Sequence, residues 1–410
     1  MKLTMQPDLK LSFIDRLRLM RETRFGAFVP VLLALAAIWI YFGVAVPLWE
    51  YWVDTDAESI RFIFLSPRNI YNLFMQSAVI ATLAVGITVV LLLGDIDLSA
   101  AATAGVCAAL LGVLVLAGLP GPIACLIVMA VGIIMGTVQG MLVAYVGIPS
   151  FVVTLAGLLG FQGLMQKILP TGNLNVGDPF VRGLARVLLP DMLGLALALV
   201  CVVLFAYVNL RKQAIRKARG LELDNTFIVW GQITFFGTLM LATVATLNSY
   251  RAVPLLIVLL VAITGCVGWI TTSTPYGRSL FAVGGNPESA RRVGMNIQRI
   301  RVSAFAVVGL MAAIGGIFGA SRYGSVSYTA FAGGSLLLES IGAAVIGGTS
   351  LFGGRGSVWN AILGALVIGS LGNGLDLSGA SAADKLMFSG AILLLAVAID
   401  AISRSGDTGR

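Results

Sequence analysis

The chain has no histidine in 410 residues. That absence removes imidazole acid–base catalysis, histidine metal sites and the usual hydrolytic triads together. Charge is scarce as well. Asp, Glu, Lys and Arg make up 11% of the chain, whereas a soluble domain carries about 25%. Cysteine is limited to Cys107, Cys125, Cys201 and Cys266, each inside an apolar run and without metal-ligand spacing. They read as small buried packing residues, and no metal site is expected. A nucleotide loop is missing too. Gly348-Thr-Ser-Leu-Phe-Gly353-Gly354-Arg355-Gly-Ser357 has the glycines of a P-loop but not its Lys and Ser/Thr in register, and it follows an apolar helical run. Uphill movement of a solute would then need a second chain that hydrolyses ATP, or an ion gradient.

What the chain has is hydrophobic length. Hydrophobic residues reach 58% and the mean hydropathy is +0.96, the composition of a protein that lives in lipid. A span needs about 20 mostly apolar residues. Such runs occur at 27–47, 69–93, 98–118, 121–145, 148–168, 191–210, 226–247, 252–272, 302–321, 335–351, 357–375 and 385–403. The expectation is an all-α, polytopic transmembrane helical bundle of about 12 spans (10–12). The run at 335–351 is the weakest, because Glu339 interrupts it. A long basic N-terminal region without a convincing cleavage site reads as leading into an uncleaved first span. Residues 1–26 are then a cytoplasmic N-terminal segment, 27–403 one transmembrane domain with a cytoplasmic loop at 273–301, and 404–410 a cytoplasmic tail.

The net charge of +8 could suggest nucleic acid, but the charges lie in short loops between spans. With both termini cytoplasmic, most of the 27 lysines and arginines fall on one side, including Arg211, Lys212, Arg216, Lys217, Arg219, Arg278, Arg291, Arg292, Arg299 and Arg301. Positive-inside bias explains this better than a nucleic-acid partner. The opposite side receives Glu50, Asp54, Asp56 and Glu58, the aromatic anchors Trp49, Tyr51 and Trp52, and a long polar excursion at 169–190.

Glycine is plentiful, at 49 residues, and recurs at helix-contact spacing in Gly132-xxx-Gly136-xxx-Gly140 and Gly315-xxx-Gly319. Small residues let helix backbones approach where lipid supplies no hydrophobic drive, so these read as packing positions. Polar groups inside the spans are few. Asp95 and Asp97 close the second run, either as an ion site or as a cap with Ser99 for the next helix. Thr154, Gln162 and Gln166 sit on the run that Pro149 and Ser150 open, as pore lining or as bonds between helices. Glu339 should face the bundle interior or a watery vestibule.

Between the eighth and ninth runs lies a short charged signature, Gly284-Gly285-Asn286-Pro287-Glu288-Ser289-Ala290-Arg291-Arg292-Val293-Gly294. Asn286 suits an N-cap, Pro287 the first helical position and Glu288 the positive helix start. Arg291 and Arg292 suit the negative end, and Gly294 a left-handed stop. Two turns are too few to be stable alone in water, since isolated helices need roughly 12–15 residues. The helix must therefore rest on something.

Four motifs then occur in order: Asp95-Ile-Asp97-Leu-Ser99, Pro149-Ser-Phe151-Val-Val-Thr154-Leu, the Gly284–Gly294 signature, and Ala344-Val-Ile-Gly347-Gly348-Thr349-Ser350-Leu-x-Gly353-Gly354-x-Gly356. From about residue 60 to 403 the chain resembles a membrane permease subunit of the ribose/xylose/galactose branch of bacterial ABC sugar importers. An extra pair of runs around 191–247 makes it most similar to the xylose-type permease, which favours a pentose. The resemblance implies a coupling element at Gly285, Asn286, Glu288, Ala290, Arg291 and Gly294. It also implies a translocation pathway for which Asp95, Asp97, Ser99, Phe151, Thr154, Gln162, Glu339 and Asn373 are the candidates. It further implies a bacterial inner-membrane homodimer of permeases, a cytoplasmic ATPase that holds ATP and Mg, and a periplasmic sugar-binding protein, with no cofactor on this chain. One departure is visible: Leu337 stands where relatives carry an acid, and Glu339 takes the place of a second. Two alternatives remain open here. One is a permease of the same class for branched-chain amino acids or nucleosides. The other is an ion-coupled secondary transporter that uses Asp95, Asp97 and Glu339.

Overall fold

The computed structural model describes residues 29–48, 62–169, 171–220, 226–332 and 334–405. The N-terminal segment 1–26 and the aromatic cluster Trp49, Tyr51 and Trp52 lie outside the described residues, as do Glu50, Asp54, Asp56, Glu58 and the last five residues of the tail. Helices α1 (Val29–Ile40), α2 (Pro67–Leu91), α3 (Ala100–Leu116), α4 (Gly121–Met141) and α5 (Ser150–Ile168) form the first part of the bundle. A short strand β1 (Asn173–Asn175) and helix α6 (Pro179–Arg186) follow, then the long helices α7 (Asp191–Ala218), α8 (Thr226–Asn248) and α9 (Leu255–Ser273). Helices α10 (Pro275–Gly285) and α11 (Pro287–Arg292) lead into α12 (Ile297–Tyr323). Strand β2 (Ser325–Ser327), α13 (Tyr328–Ala332), α14 (Ser335–Ile346), α15 (Val358–Leu377) and α16 (Ala382–Ser405) complete the described chain.

Ten helical stretches among the described residues are long and apolar enough to cross a membrane. Helix α3, at 17 residues, is shorter, and α16 has 24. The expected polytopic helical bundle is what the chain forms. The run at 335–351 differs from the others. Gly334 adopts a left-handed conformation (φ 77°) between α13 and α14, so the chain turns at the start of that run and only 12 residues continue as helix.

Burial sorts the helices into an inner and an outer set. In α2, 89% of the most apolar window is buried, against 11% in α7. Helix α2 is apolar all round, as an interior helix must be. Helix α3 is buried from Ala100 to Ala109, so its alanine-rich sequence reflects tight packing at the centre.

The hub is α12. Gly132, Gly136 and Gly140 of α4 lie directly on Gly309, Phe305 and Val302 of α12. A methyl group on Gly136 would fall on the Phe305 carbonyl oxygen, and one on Gly132 would fall on that of Gly309. On its other faces, Gly316 meets the Ala104 carbonyl of α3 and Gly315 meets Leu83 of α2. The expected glycine spacing is therefore a backbone-to-backbone seam.

The loops gather at two ends. At one end β1 pairs antiparallel with β2, Leu174 opposite Val326, and Leu188 bridges Pro254. These contacts tie the excursion after α5 to the chain after α12 and to the start of α9. At the other end the loops around residues 92–99, 284–285 and 347–357 meet.

The seam yields a paired test. Gly136→Leu should cost about 3 kcal/mol of stability, because α4 and α12 must separate. Gly160→Leu on α5, where an added Cβ meets nothing within 4 Å, should change stability by no more than about 0.5 kcal/mol. Thermal unfolding of the two variants in mild detergent, followed by size-exclusion chromatography, checks the contrast.

Candidate functional site

Helix α11 is built as its residues demand. The Asn286 side chain accepts a hydrogen bond from the Ser289 amide at 2.9 Å, and Pro287 occupies the first turn. At the other end the Gly294 amide donates to the Arg291 carbonyl and the Met295 amide to that of Ala290, with Gly294 left-handed at φ 83°. This is a Schellman stop, in which the glycine accepts a backbone form that a side chain disfavours. Ala290 is buried against the bundle, while Asn286, Glu288, Arg291 and Arg292 face outward. Glu288 and Arg292 pair at 3.5 Å across one turn, but both are exposed and such a pair contributes little. Val293 is 72% exposed, an apolar side chain presented next to the arginines.

The preceding helix fixes where α11 sits. Thr274 caps α10 by accepting from the Gly277 amide, and Gly277, Leu280 and Val283 bury one stripe of it. The Ser303 hydroxyl of α12 donates to the Tyr276 hydroxyl at 3.1 Å. At the end of α10, Gly284 leaves no room for a side chain beside the Leu92 carbonyl. The Gly354 amide donates to that same carbonyl at 2.9 Å. Gly94 (φ 78°) and Gly353 (φ 85°) complete a junction of three backbones. Glycine is required there because the strands of chain touch without side chains between them. The α2–α3 and α14–α15 connections therefore meet at α10.

Asp95 lies beside this junction and pairs with Arg301 of α12 at 3.0 Å. Burial pushes its carboxyl up from the usual carboxylate range, while the Arg301 guanidinium and the Ser150 hydroxyl pull it back. Asp97 is buried and accepts from both the amide and the hydroxyl of Ser99, each at 2.7 Å. These bonds close an Asx turn just ahead of α3, whose N-cap residue Ser99 makes no side-chain cap bond. The Ser99 hydroxyl in turn accepts from the Gln139 amide of α4 at 2.9 Å, and Gly157 of α5 gives that amide its space. Thr154 is fully buried, and its hydroxyl donates to the Ser150 carbonyl and reaches the Ile96 carbonyl. Asp95, Asp97, Ser99 and Thr154 thus share one polar cluster at the junction end of α2, α3 and α5.

The other candidates lie elsewhere. Phe151 is 52% exposed at the start of α5, and Gln162 is half-buried three turns further on. Glu339 is half-buried on α14, near enough to Asp376 and Lys385 to feel both charges. Asp376 and Lys385 themselves form an ion pair. Asn373 exchanges two amide hydrogen bonds with Asn69, at 2.7 and 3.1 Å, and so clamps the end of α15 to the start of α2. Gln139, Asn69 and Arg301 escape a sequence reading because each is one polar residue whose partner is far away in the chain. Only the polarity of Gln139 and Asn69 inside apolar surroundings hints at them.

Residues 69–397 match a protein family described as the permease component of the branched-chain amino acid transport system. The chain belongs to this permease family. The permease is thus a multi-pass membrane transport subunit rather than an enzyme. It is 34% identical to the xylose transport system permease protein XylH of Escherichia coli (strain K12) over 362 residues, 88% of this chain and 90% of the relative. The protein of the same name from Haemophilus influenzae is 32% identical over 373 residues, 90% and 95% of the two chains. The autoinducer 2 import system permease protein LsrC of Salmonella paratyphi B is 32% identical over 302 residues, 74% of this permease and 69% of that relative. No solved structure matches the chain.

The Asp95–Arg301 pair should behave as a coupled unit. Arg301→Gln should cost on the order of 2 kcal/mol, because it leaves the buried Asp95 carboxylate without its partner, and Asp95→Asn should cost about 1 kcal/mol, because Arg301 is partly exposed to solvent. The double variant should cost less than the two combined, by about 1–2 kcal/mol. Denaturant unfolding in detergent of the four proteins measures this, and strict additivity would contradict the pairing.

Proposed function

We propose that this permease forms the translocation pathway of an ATP-driven importer for a monosaccharide, a pentose such as xylose. The similarity to two xylose permeases over most of both chains carries the substrate. The capped, outward-facing α11, joined through α10 to the glycine junction, carries the mechanism. A cytoplasmic ATPase subunit, which holds the ATP and Mg, docks on Gly285, Asn286, Glu288, Arg291 and Gly294; Ala290, expected in that set, is buried and instead anchors α11 to the bundle. Its closure pulls α10 and α11, and the glycine junction passes that displacement to the ends of α2 and α14. A periplasmic sugar-binding protein delivers solute to the opposite end. Two copies of the permease enclose the pathway in the bacterial inner membrane, with both termini cytoplasmic.

Within that reading the pathway candidates divide by their surroundings. Phe151, Gln162 and Glu339 reach surface that a second copy or the solute can occupy. Asp95, Asp97, Ser99, Thr154 and Asn373 hold its walls in place through the bonds described above. The same bonds speak against an ion-coupled carrier. Asp95 is engaged by Arg301 and Asp97 by Ser99, so neither is free to bind and release a cation cheaply. A different cargo is the nearer rival, favoured by the family's description and by the autoinducer 2 permease among the relatives.

Two measurements test the proposal. In proteoliposomes holding the permease and its ATPase, Glu288→Arg with Arg291→Glu should lower solute uptake at least tenfold, while insertion and folding remain normal. Normal stimulated uptake in that variant would sink the docking role. Xylose-loaded binding protein should stimulate ATP hydrolysis several-fold over unloaded protein, and stimulation by leucine-loaded protein alone would reassign the cargo.

A further inference from the structure

Helices α7 and α8 stand apart from the rest of the bundle. Helix α7 is joined to its surroundings chiefly along α8, through Gly237 against Val202 and the stacked rings of Phe205 and Phe236. Leu199, Val203, Leu204 and Tyr207 are exposed on it, so this face looks into lipid. At 28 residues and 1.5 Å each, α7 is about 42 Å long. The hydrocarbon core is about 30 Å thick, so one end must project into the headgroup layer. Its first residues lie by the Leu188–Pro254 bridge at the strand end, so the projecting end is on the side of the loop junction. There the sequence changes from apolar to Arg211, Lys212, Arg216, Lys217 and Arg219.

Between this end and the first turn of α8 lies a cavity of about 190 Å³. Gln213 and Lys217 line it from α7, and Thr226 and Trp230 from α8, with Leu210 and Val229 as its apolar wall. Among the described residues no carboxylate lies within ion-pair distance of Lys217 or Arg219. Glu222 and Asp224 follow in sequence, outside the described residues, and leave the stretch from Arg211 to Asp224 with a positive balance. The Arg211 guanidinium lies over the Tyr207 ring at 6.0 Å, which holds one cation at the membrane boundary. Trp230, 51% exposed, presents the amphipathic ring that favours the same layer.

We propose that the inner end of the α7–α8 hairpin is a binding site for one anionic phospholipid. Its headgroup phosphate sits at Lys217 and Gln213, and one acyl chain lies along Leu210, Val229 and Trp230. Three features select this occupant: a polar mouth with positive charge, an apolar wall continuous with a lipid-facing hairpin, and a depth at the headgroup layer. Zwitterionic lipid offers the same chain but no net charge, and free phosphate offers the charge but no chain.

Native mass spectrometry of the full-length permease in mild detergent tests the site. Phosphatidylglycerol should bind at least fivefold more tightly than phosphatidylcholine of the same chains. Lys217→Gln with Arg219→Gln should cut that preference below twofold, whereas Arg278→Gln with Arg299→Gln, basic residues elsewhere on the same side, should leave it unchanged. A second readout is Trp230 fluorescence, isolated by subtracting the Trp230→Phe protein. In nanodiscs, brominated phosphatidylglycerol should quench it more than an equal fraction of brominated phosphatidylcholine. Equal quenching by the two lipids, or an unchanged preference in the Lys217/Arg219 variant, would overturn the proposal. So would displacement of the lipid by inorganic phosphate alone. None of these outcomes depends on which solute the permease moves.

Discussion

The close approach of backbone to backbone is the constraint on which this fold rests. In lipid the helices gain nothing from hiding apolar side chains from one another, so attraction must come from contact area at short range. Gly132, Gly136 and Gly309 bring α4 and α12 to that range. Because α12 is held there, its other faces meet α2 and α3, and the inner helices stack around it. The same device recurs at the loop junction, where Gly94, Gly284, Gly353 and Gly354 let three segments touch without side chains between them.

That junction gives the arrangement its mechanical character. A short helix that is capped at both ends and anchored by one buried alanine moves as a rigid piece. Through Gly284 of α10 it is in contact with both the Leu92 carbonyl and the Gly354 amide, so under the proposed docking role a displacement of α11 would reach the α2–α3 and α14–α15 connections at once. Interfaces packed this closely shift between discrete arrangements rather than deforming smoothly. The polar cluster of Asp97, Ser99 and Gln139 lies just behind, with its hydrogen bonds made within the protein. It therefore braces the end of α3 against α4 and α5 without leaving a charge exposed to lipid.

Much of this was legible in the chain itself. The apolar runs located the helices because a membrane admits few alternatives to a helix, and the glycine spacing on α4 marked the seam. The α11 signature could be read to the residue, since caps and stops depend on neighbours in sequence. The candidate pathway was less legible. Asp95, Thr154 and Asn373 look alike in a sequence, as polar groups in apolar surroundings. Their partners, Arg301, the Ile96 carbonyl and Asn69, are between 58 and 304 positions away.

By itself the sequence determined that the chain crosses the membrane many times and where a short capped helix must begin and end. These follow from local chemistry: hydropathy over one span, and hydrogen bonds closed within a few residues. Only the tertiary structure decided that Asp95 belongs to Arg301, that Asn373 belongs to Asn69, that the chain turns between α13 and α14, and that the end of α10, just ahead of α11, rests on the meeting point of two distant loops. Those outcomes depend on which backbones come close. That is set by the packing of whole helices, in which residues far apart in sequence act together.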